Sequence, residues 1–296
     1  MKFRYMSMLG LFFVLMWNLY AETSSVEGSD QTVREKLSAL EASSGGRLGA
    51  VMLEAGGDTV AVYRGAERFP MCSTFKMMLV AAILKQSTVE PDLMERHITF
   101  TKDDLVSWSP VTEKHVADGM RVTDLCAAAI TQSDNTAANL MLKLLNGPQG
   151  LTSFARSIGD RSFRLDRWET SLNEALPEDE RDTTTPEAMA RSLRAIAFDD
   201  VLPAPQRNTL LGWLKGNTTG EASIRAGIPA DWIAGDKTGS GGFGTTNDIA
   251  VLWPVEGQPL ILAVYFTQKA QDAPSRKDVI AAATRLIVAY WQTRNP

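Results

Sequence analysis

The sequence predicts a mixed α/β fold of the α+β kind: a five-stranded antiparallel sheet flanked by N- and C-terminal helices, plus an all-helical domain. Three observations carry this. Two strand-like runs, "RLGAVMLEA" and "DTVAVYRG", come early, and the "GGD" between them is a hairpin signal. Three more, "DWIAGDKTGSGG", "TNDIAVLWP" and "QPLILAVYFTQ", come late and read as neighbouring antiparallel strands. Between the two groups, from about Glu67 to Asn217, strand alternation is missing and the chain reads as helices joined by loops rich in Pro, Asp and Thr. One sheet is therefore assembled from both ends of the chain, with a helical domain inserted into it.

The flanking helices have their own signals. "QTVREKLSALEASS" places Val33, Leu37 and Leu40 at helical spacing, and "SRKDVIAAATRLIVAYWQ" closes the chain. Inside the insertion, "TTTPEAMARSLRAIA" opens a helix: threonine caps, Pro186 at the first helical position, then Glu187. The expected division is 22–66 with 218–296 for the sheet domain and 67–217 for the helical one. No internal repeat or low-complexity segment interrupts it.

The first residues form a separate object. "MKFR" is basic, "YMSMLGLFFVLMWNLY" is apolar and Ala21 ends the run, the pattern of a secretory signal peptide over 1–21. The run is short for a bilayer span, and no other segment is long and apolar enough for one. An exported, periplasmic protein with no stable membrane association is expected. The whole chain has 296 residues, 44% hydrophobic and 22% charged, with a formal charge of −5. These are globular values, and the acidic balance argues against nucleic acid as a partner.

Chemistry enters at "MCSTFKMMLV". A lysine is almost never fully buried unless it is paired, yet Lys76 interrupts an apolar run three residues after Ser73. On a helix opening at Ser73, residues three apart share a face. A serine hydroxyl is a weak nucleophile until a base takes its proton, and a desolvated lysine can act as that base. A helix N-terminus adds N–H groups that stabilise a developing oxyanion. Alone, the pair is common and reads more simply as a capping serine and a snorkelling lysine.

Two further triplets change that balance: "SDN" at Ser133, Asp134 and Asn135, and "KTG" at Lys237, Thr238 and Gly239. Each alone is explained by a turn or a strand end. Together, in this order, they are the signature set of class A β-lactamases and penicillin-binding proteins. The chain resembles the class A serine β-lactamase family across essentially the whole sequence behind the leader. The resemblance implies that family's sheet-plus-helical-insert fold and hydrolysis of penicillins and cephalosporins through a serine acyl-enzyme.

A fourth stretch, "RWETSLNEA", separates the two relatives. In class A enzymes it belongs to an Ω-shaped loop, here about 164–182. The resemblance makes Glu169 the general base for deacylation and has Asn173 help hold the hydrolytic water. An ester intermediate needs water activated close by, and one carboxylate can do it. The stretch argues against the rivals, a DD-peptidase and a penicillin sensor that stays acylated.

Other roles carry over residue by residue. Ser73 is the nucleophile, and Lys76 and Ser133 move protons. Lys237, Thr238, Gly239 and Ser240 attract the substrate carboxylate, with the N–H groups of Ser73 and Ser240 as oxyanion hole. Asn135 meets the acylamino side chain and Trp108 walls the pocket mouth. Arg167 and Asp182 match the ion pair at the neck of the Ω loop. Whether Lys76 or Glu169 deprotonates Ser73 is disputed for the class.

The sequence also departs from the family. Many members carry a carboxylate-binding arginine at one of two positions, held here by Ser223 and Thr246. "SRKD" offers Arg276 and Lys277 instead, and Lys277 matches better. One family disulfide would join Cys126 to the position of Val80, another Cys72 to that of Gly241. Each has half its pair, so two buried free thiols are expected. His97 and His115 lie in no metal-ligand pattern. No metal or cofactor is implied, and the family expectation is a monomer.

Overall fold

A computed structural model describes residues 31–295. The expected leader over 1–21 and the polar residues 22–30 lie outside the described residues. Helix α1 covers 31–44. Strands β1 (Arg47–Glu54), β2 (Thr59–Tyr63) and β3 (Phe69–Pro70) follow. The middle of the chain supplies α2 (Phe75–Gln86), β4 (His97–Ile98), β5 (Met120–Arg121), α3 (Val122–Thr131), α4 (Asn135–Leu144) and α5 (Pro148–Ser157). Then come β6 (Thr183–Thr184), α6 (Pro186–Phe198) and α7 (Ala204–Lys215). Strands β7 (Ile233–Ser240), β8 (Thr246–Trp253) and β9 (Leu260–Thr267) and helix α8 (Lys277–Arg294) complete it.

The main sheet has the order β2-β1-β9-β8-β7, antiparallel throughout. Its seam is β1 against β9, running from Arg47↔Thr267 to Glu54↔Leu260. Both faces are covered. Leu48, Ala50 and Met52 join Leu37 of α1 and Ile287 and Trp291 of α8 in one core. Val51 and Leu53 point the other way, into a second core built mainly by the middle helices. A strand buried on two sides has no polar face, so β1 and β9 read as continuous apolar runs. Each large side chain so buried contributes about 1.5–3 kcal/mol.

Helix α2 is buried almost all round, from Phe75 to Leu84, Lys76 included. It is the central helix of the larger core and so lacks an amphipathic stripe. Helix α6 begins as its residues demand: Thr185 Oγ1 accepts the Ala188 N–H at 3.1 Å and Pro186 takes a position whose N–H has no intrahelical partner. It lies in the middle of the chain yet packs against β1 and β9.

The structure departs from expectation in three places. The middle segment is not strand-free: β3 pairs with β6, and β4 with β5. Two-residue strands are too short to show alternation. The helix expected at Ser73 opens at Phe75, because Cys72–Thr74 form a tighter 3-10 turn entered at a Cys72 φ of +45°. Helix α8 starts at Lys277, two residues beyond Ser275.

That turn is pinned from three sides. The Met71 N–H donates to the Asp182 carbonyl at 2.9 Å. Asn247 Nδ2 of β8 donates to the Pro70 and Met71 carbonyls at 2.8 and 3.1 Å. Thr74 Oγ1 and Tyr265 of β9 share a 3.1 Å hydrogen bond. On β7, a Cβ at Gly239 would lie 2.7 Å from the Met71 carbonyl oxygen and 3.2 Å from the Ser73 nitrogen. Glycine there lets the strand edge approach the serine.

Candidate active site

Ser73, on the pinned turn, and Lys76, in the first turn of α2, converge: Nζ lies 3.0 Å from Ser73 Oγ. The same amine lies 3.0 Å from Glu169 Oε1, 2.8 Å from the Ser133 carbonyl and 2.5 Å from Asn135 Oδ1. Both side chains of the Lys76–Glu169 pair are fully buried. This explains how a lysine enters an apolar helix: its charge is met by a carboxylate and polar oxygens. Burial pulls the Lys76 pKa below its ordinary value, and the Glu169 carboxylate opposes it.

Ser73 Oγ donates to Glu169 Oε1 at 3.4 Å. Because Lys76 donates to the hydroxyl oxygen, the serine proton is left for the carboxylate. Glu169 Oε2 accepts from Asn173 Nδ2 at 2.6 Å. The other amide atom, Asn173 Oδ1, is buried without a hydrogen-bond partner among the described residues. A third solvent or substrate atom placed between Glu169, Asn173 and Ser73 would find an acceptor waiting.

Ser133 sits in a left-handed backbone conformation, φ +59°. Lys237 Nζ of β7 lies 3.0 Å from Ser133 Oγ, and Lys76 Nζ lies 3.4 Å from the same oxygen. Asp134 caps α4 and ties down the neighbouring loop, accepting from Ala137, Val111 and Thr112 N–H groups at 2.9–3.0 Å. The middle residue of the triplet is thus structural. Lys237 is fully buried, and burial together with the nearby Lys76 ammonium pulls its pKa down to about 7.

A cavity of about 330 Å³ opens on this cluster. Ser73, Ser133, Asn135, Asn173, Thr238, Gly239, Ser240, Trp108 and Lys277 all line it; Lys237, also expected to bind substrate, is outside the lining and reaches the cluster through Ser133. Trp108 is 64% exposed at its mouth, its indole donating to the Gln132 carbonyl at 3.1 Å. Lys277 is exposed at the start of α8. Its neighbour Arg276 is bound to Asp278 at 2.8 Å. Ser223 and Thr246, at the two positions without arginine, line the same cavity.

Arg167 and Asp182 form the expected pair at 2.5 Å. Asp182 also accepts the N–H groups of Asp166 and Arg167 at 2.8 and 2.9 Å, and its side chain is 1% exposed. Cys72 and Cys126 are free and buried. Among the described residues no group of three or more His, Cys, Asp or Glu could hold a metal ion.

Sequence reasoning missed two residues. Asn139 Nδ2 donates to the Glu169 carbonyl at 2.9 Å while its Oδ1 accepts the Glu169 N–H at 3.0 Å. The signal was present: Asn139 stands four residues after Asn135, on the same face of α4. Thr219 lines the cavity and shares a 2.5 Å hydrogen bond with Thr238. It lies in a loop and carries no periodic or motif signal.

The chain is similar to known proteins of one family. A model of the beta-lactamase enzyme family matches residues 32–291. Beta-lactamase OXY-1 of Klebsiella oxytoca is 53% identical, over 91% of this chain and 92% of its own. Beta-lactamase CTX-M-25 of Escherichia coli is 53% identical over 86% and 88%. The crystal structure of a beta-lactamase from Desulfarculus baarsii superposes with a TM-score of 0.86 at 53% identity, over 89% of this chain and 98% of that one. With a buried serine–lysine–glutamate cluster of this geometry and relatives at this identity along most of its length, the chain belongs to the β-lactamase enzyme family, as a class A serine enzyme.

Proposed function

We propose that this protein hydrolyses the β-lactam amide of penicillins and cephalosporins through an acyl-enzyme on Ser73, and so confers resistance to them. The observation that carries the reading is the placement of Glu169 Oε1 within 3.4 Å of Ser73 Oγ and 3.0 Å of Lys76 Nζ. Nucleophile and deacylating base share one buried site.

In acylation, Ser73 Oγ attacks the lactam carbonyl as its proton passes into the Lys76–Glu169 pair. The developing oxyanion is met by the Ser73 and Ser240 N–H groups. The C–N bond breaks, and Ser133 hands its proton to the departing nitrogen, resupplied through the two lysines beside it. In deacylation, Glu169 takes a proton from a water held with Asn173. The water attacks the ester, and the ring-opened acid leaves with Ser73 restored. Lys237, Thr238 and Ser240 seat the substrate carboxylate, Lys277 adds charge at the rim, and Asn135 meets the acylamino chain. Arg167 and Asp182 hold the loop that carries Glu169.

The test is turnover of nitrocefin by the purified protein. Many turnovers per chain support the reading; a stoichiometric burst that stops sinks it. Glu169→Ala converts the first behaviour into the second, with one acyl group per chain visible by intact mass.

The basic and apolar start of the chain supports export to the periplasm with cleavage after Ala21. Intact mass of the protein from a periplasmic extract tests this, a mature chain beginning at Glu22 being the expected result. A monomer is the expected state, checked by light scattering. Among the described residues no helix is long and apolar enough to cross a membrane.

A further inference from the structure

We infer that Asn247 is a positioning residue for acylation: its side-chain amide takes the Pro70 carbonyl that a regular turn would give to the Ser73 N–H, and so leaves that N–H for the developing oxyanion. This rests on the β-lactamase reading above and names what keeps its oxyanion hole open.

The nucleophile turn lies along one rung of the sheet. Gly49, Tyr265, Asn247 and Gly239 stand opposite one another across β1, β9, β8 and β7. Directly paired residues point to the same face of a sheet, and the segment Phe69–Thr74 crosses that face. A Cβ at Gly49 would lie 2.5 Å from the Phe69 ring, and one at Gly239 would lie 2.7 Å from the Met71 carbonyl oxygen. The two ends of the rung therefore carry no side chain where the segment passes. Between them, the Tyr265 hydroxyl meets the Thr74 side chain at 3.1 Å. Asn247, 1% exposed, meets the backbone just before the nucleophile.

The hydrogen bonds of Pro70 and Met71 give that amide its role. In a 3-10 turn each N–H pairs with the carbonyl three residues back. Thr74 and Met71 obey this, at 3.3 Å. One residue earlier the partners would be Ser73 and Pro70, and that bond does not form among the described residues. Of the two residues that would make the turn, Met71 has helical angles (φ −73°, ψ −37°), but Cys72 leaves them for a left-handed φ of +45°. Asn247 Nδ2 stands in for the missing donor, 2.8 Å from the Pro70 oxygen and 3.1 Å from the Met71 oxygen. Carbonyls only accept, so the amide nitrogen faces them and the side-chain orientation is determined. The amide oxygen faces the Phe266 N–H at 3.4 Å. A buried carbonyl without a donor is costly. Without Asn247, the donor that the turn itself can supply to Pro70 is the N–H that the substrate needs.

The experiment places Asn247→Ala and Asn247→Ser, the second keeping one donor, in a Glu169→Ala background where the acyl-enzyme with benzylpenicillin accumulates. Rapid mixing with intact-mass detection reads the acylation rate. Infrared difference spectra read the ester carbonyl stretch, which drops in frequency as oxyanion-hole hydrogen bonds strengthen. Only chains that fold and acylate give these signals, so a loss of stability does not imitate them. Asn247→Ala slows acylation about ten- to hundred-fold, towards the loss of a whole oxyanion-hole donor, and moves the ester stretch to higher frequency. Asn247→Ser falls between it and the parent in both, and decides alone by the same two readouts if Asn247→Ala does not fold. A variant that melts earlier but keeps the parent's acylation rate and ester stretch makes Asn247 a packing residue and overturns the inference. A Glu169→Ala parent that forms no acyl-enzyme overturns the underlying reading instead, and this inference with it.

Discussion

Asn139 grips Glu169 by its peptide rather than its carboxylate: the amide nitrogen donates to the Glu169 carbonyl at 2.9 Å and the amide oxygen accepts the Glu169 N–H at 3.0 Å. The contact joins the rigid face of α4 to the loop that must deliver a carboxylate within ångströms of an ester. Asn139→Ala leaves two buried backbone groups unpaired, a loss of roughly 1–3 kcal/mol for each group so stranded. Deacylation should slow more than acylation. Rapid-mixing experiments with intact-mass detection should then show acyl-enzyme accumulating, and equal slowing of both steps would contradict the assignment.

Asp182 is the second anchor of that loop. It is fully buried and receives the Arg167 guanidinium and two backbone N–H groups. Removing one partner of a buried pair strands the other charge and costs roughly 3–5 kcal/mol. Asp182→Asn should lower the melting temperature by several degrees and damage penicillin turnover at the deacylation step. Wild-type melting and wild-type turnover together would remove the clasp from the mechanism.

Lys237 sets a pH dependence with a definite sign. Its ammonium, pulled down to about 7 by burial and by Lys76, is charged below that pH and neutral above it. The charge attracts an anionic substrate, so kcat/KM for a carboxylate-bearing β-lactam should fall as pH rises through about 7, mainly through KM. Lys237→Arg keeps the charge and should move this alkaline limb upward. Stability runs the other way. Between about 7 and the ordinary lysine value of 10.5 the unfolded chain binds the proton that the folded chain has lost, so this group makes unfolding harder with rising pH. Thermal melts at pH 7 and 9 on wild type and Lys237→Met check the sign.

Both cysteines should be silent in the native state. Burial pushes each thiol above its ordinary pKa, so little thiolate forms. A colorimetric thiol reagent should find two groups per chain in denaturant without reductant, and none on the same timescale in buffer. Finding none in denaturant would mean that the two are bridged.

Much of this was legible beforehand, for a physical reason. Ser73, Lys76, Ser133, Asn135, Lys237 and Thr238 carry side chains that make no sense as packing, and each sits beside residues that reveal its element. Sheet strands such as β9 declare themselves because both faces are apolar. Asn139 and Thr219 were not legible in the same way: their partners lie 30 and 19 residues away, and an amide or hydroxyl in a helix or loop is ordinary until the partner is known. The two-residue strands β3 to β6 escaped because pairing, not composition, creates them. The opening of α2 was misplaced by two residues because a 3-10 turn and an α-turn use the same residue types.

The pairing of β1 with β9 has a consequence for how the molecule is made. A ribosome releases the first hairpin more than two hundred residues before its main neighbour exists, since Met52 pairs with Leu262. During synthesis the early strands have one edge unsatisfied, and the nucleophile turn cannot receive Asn247 or Tyr265 until the last quarter of the polypeptide emerges. Contacts so distant along the chain make for slow folding. The active site is therefore among the last parts to form, and a truncated product lacking β9 should hold neither the sheet nor any hydrolytic activity.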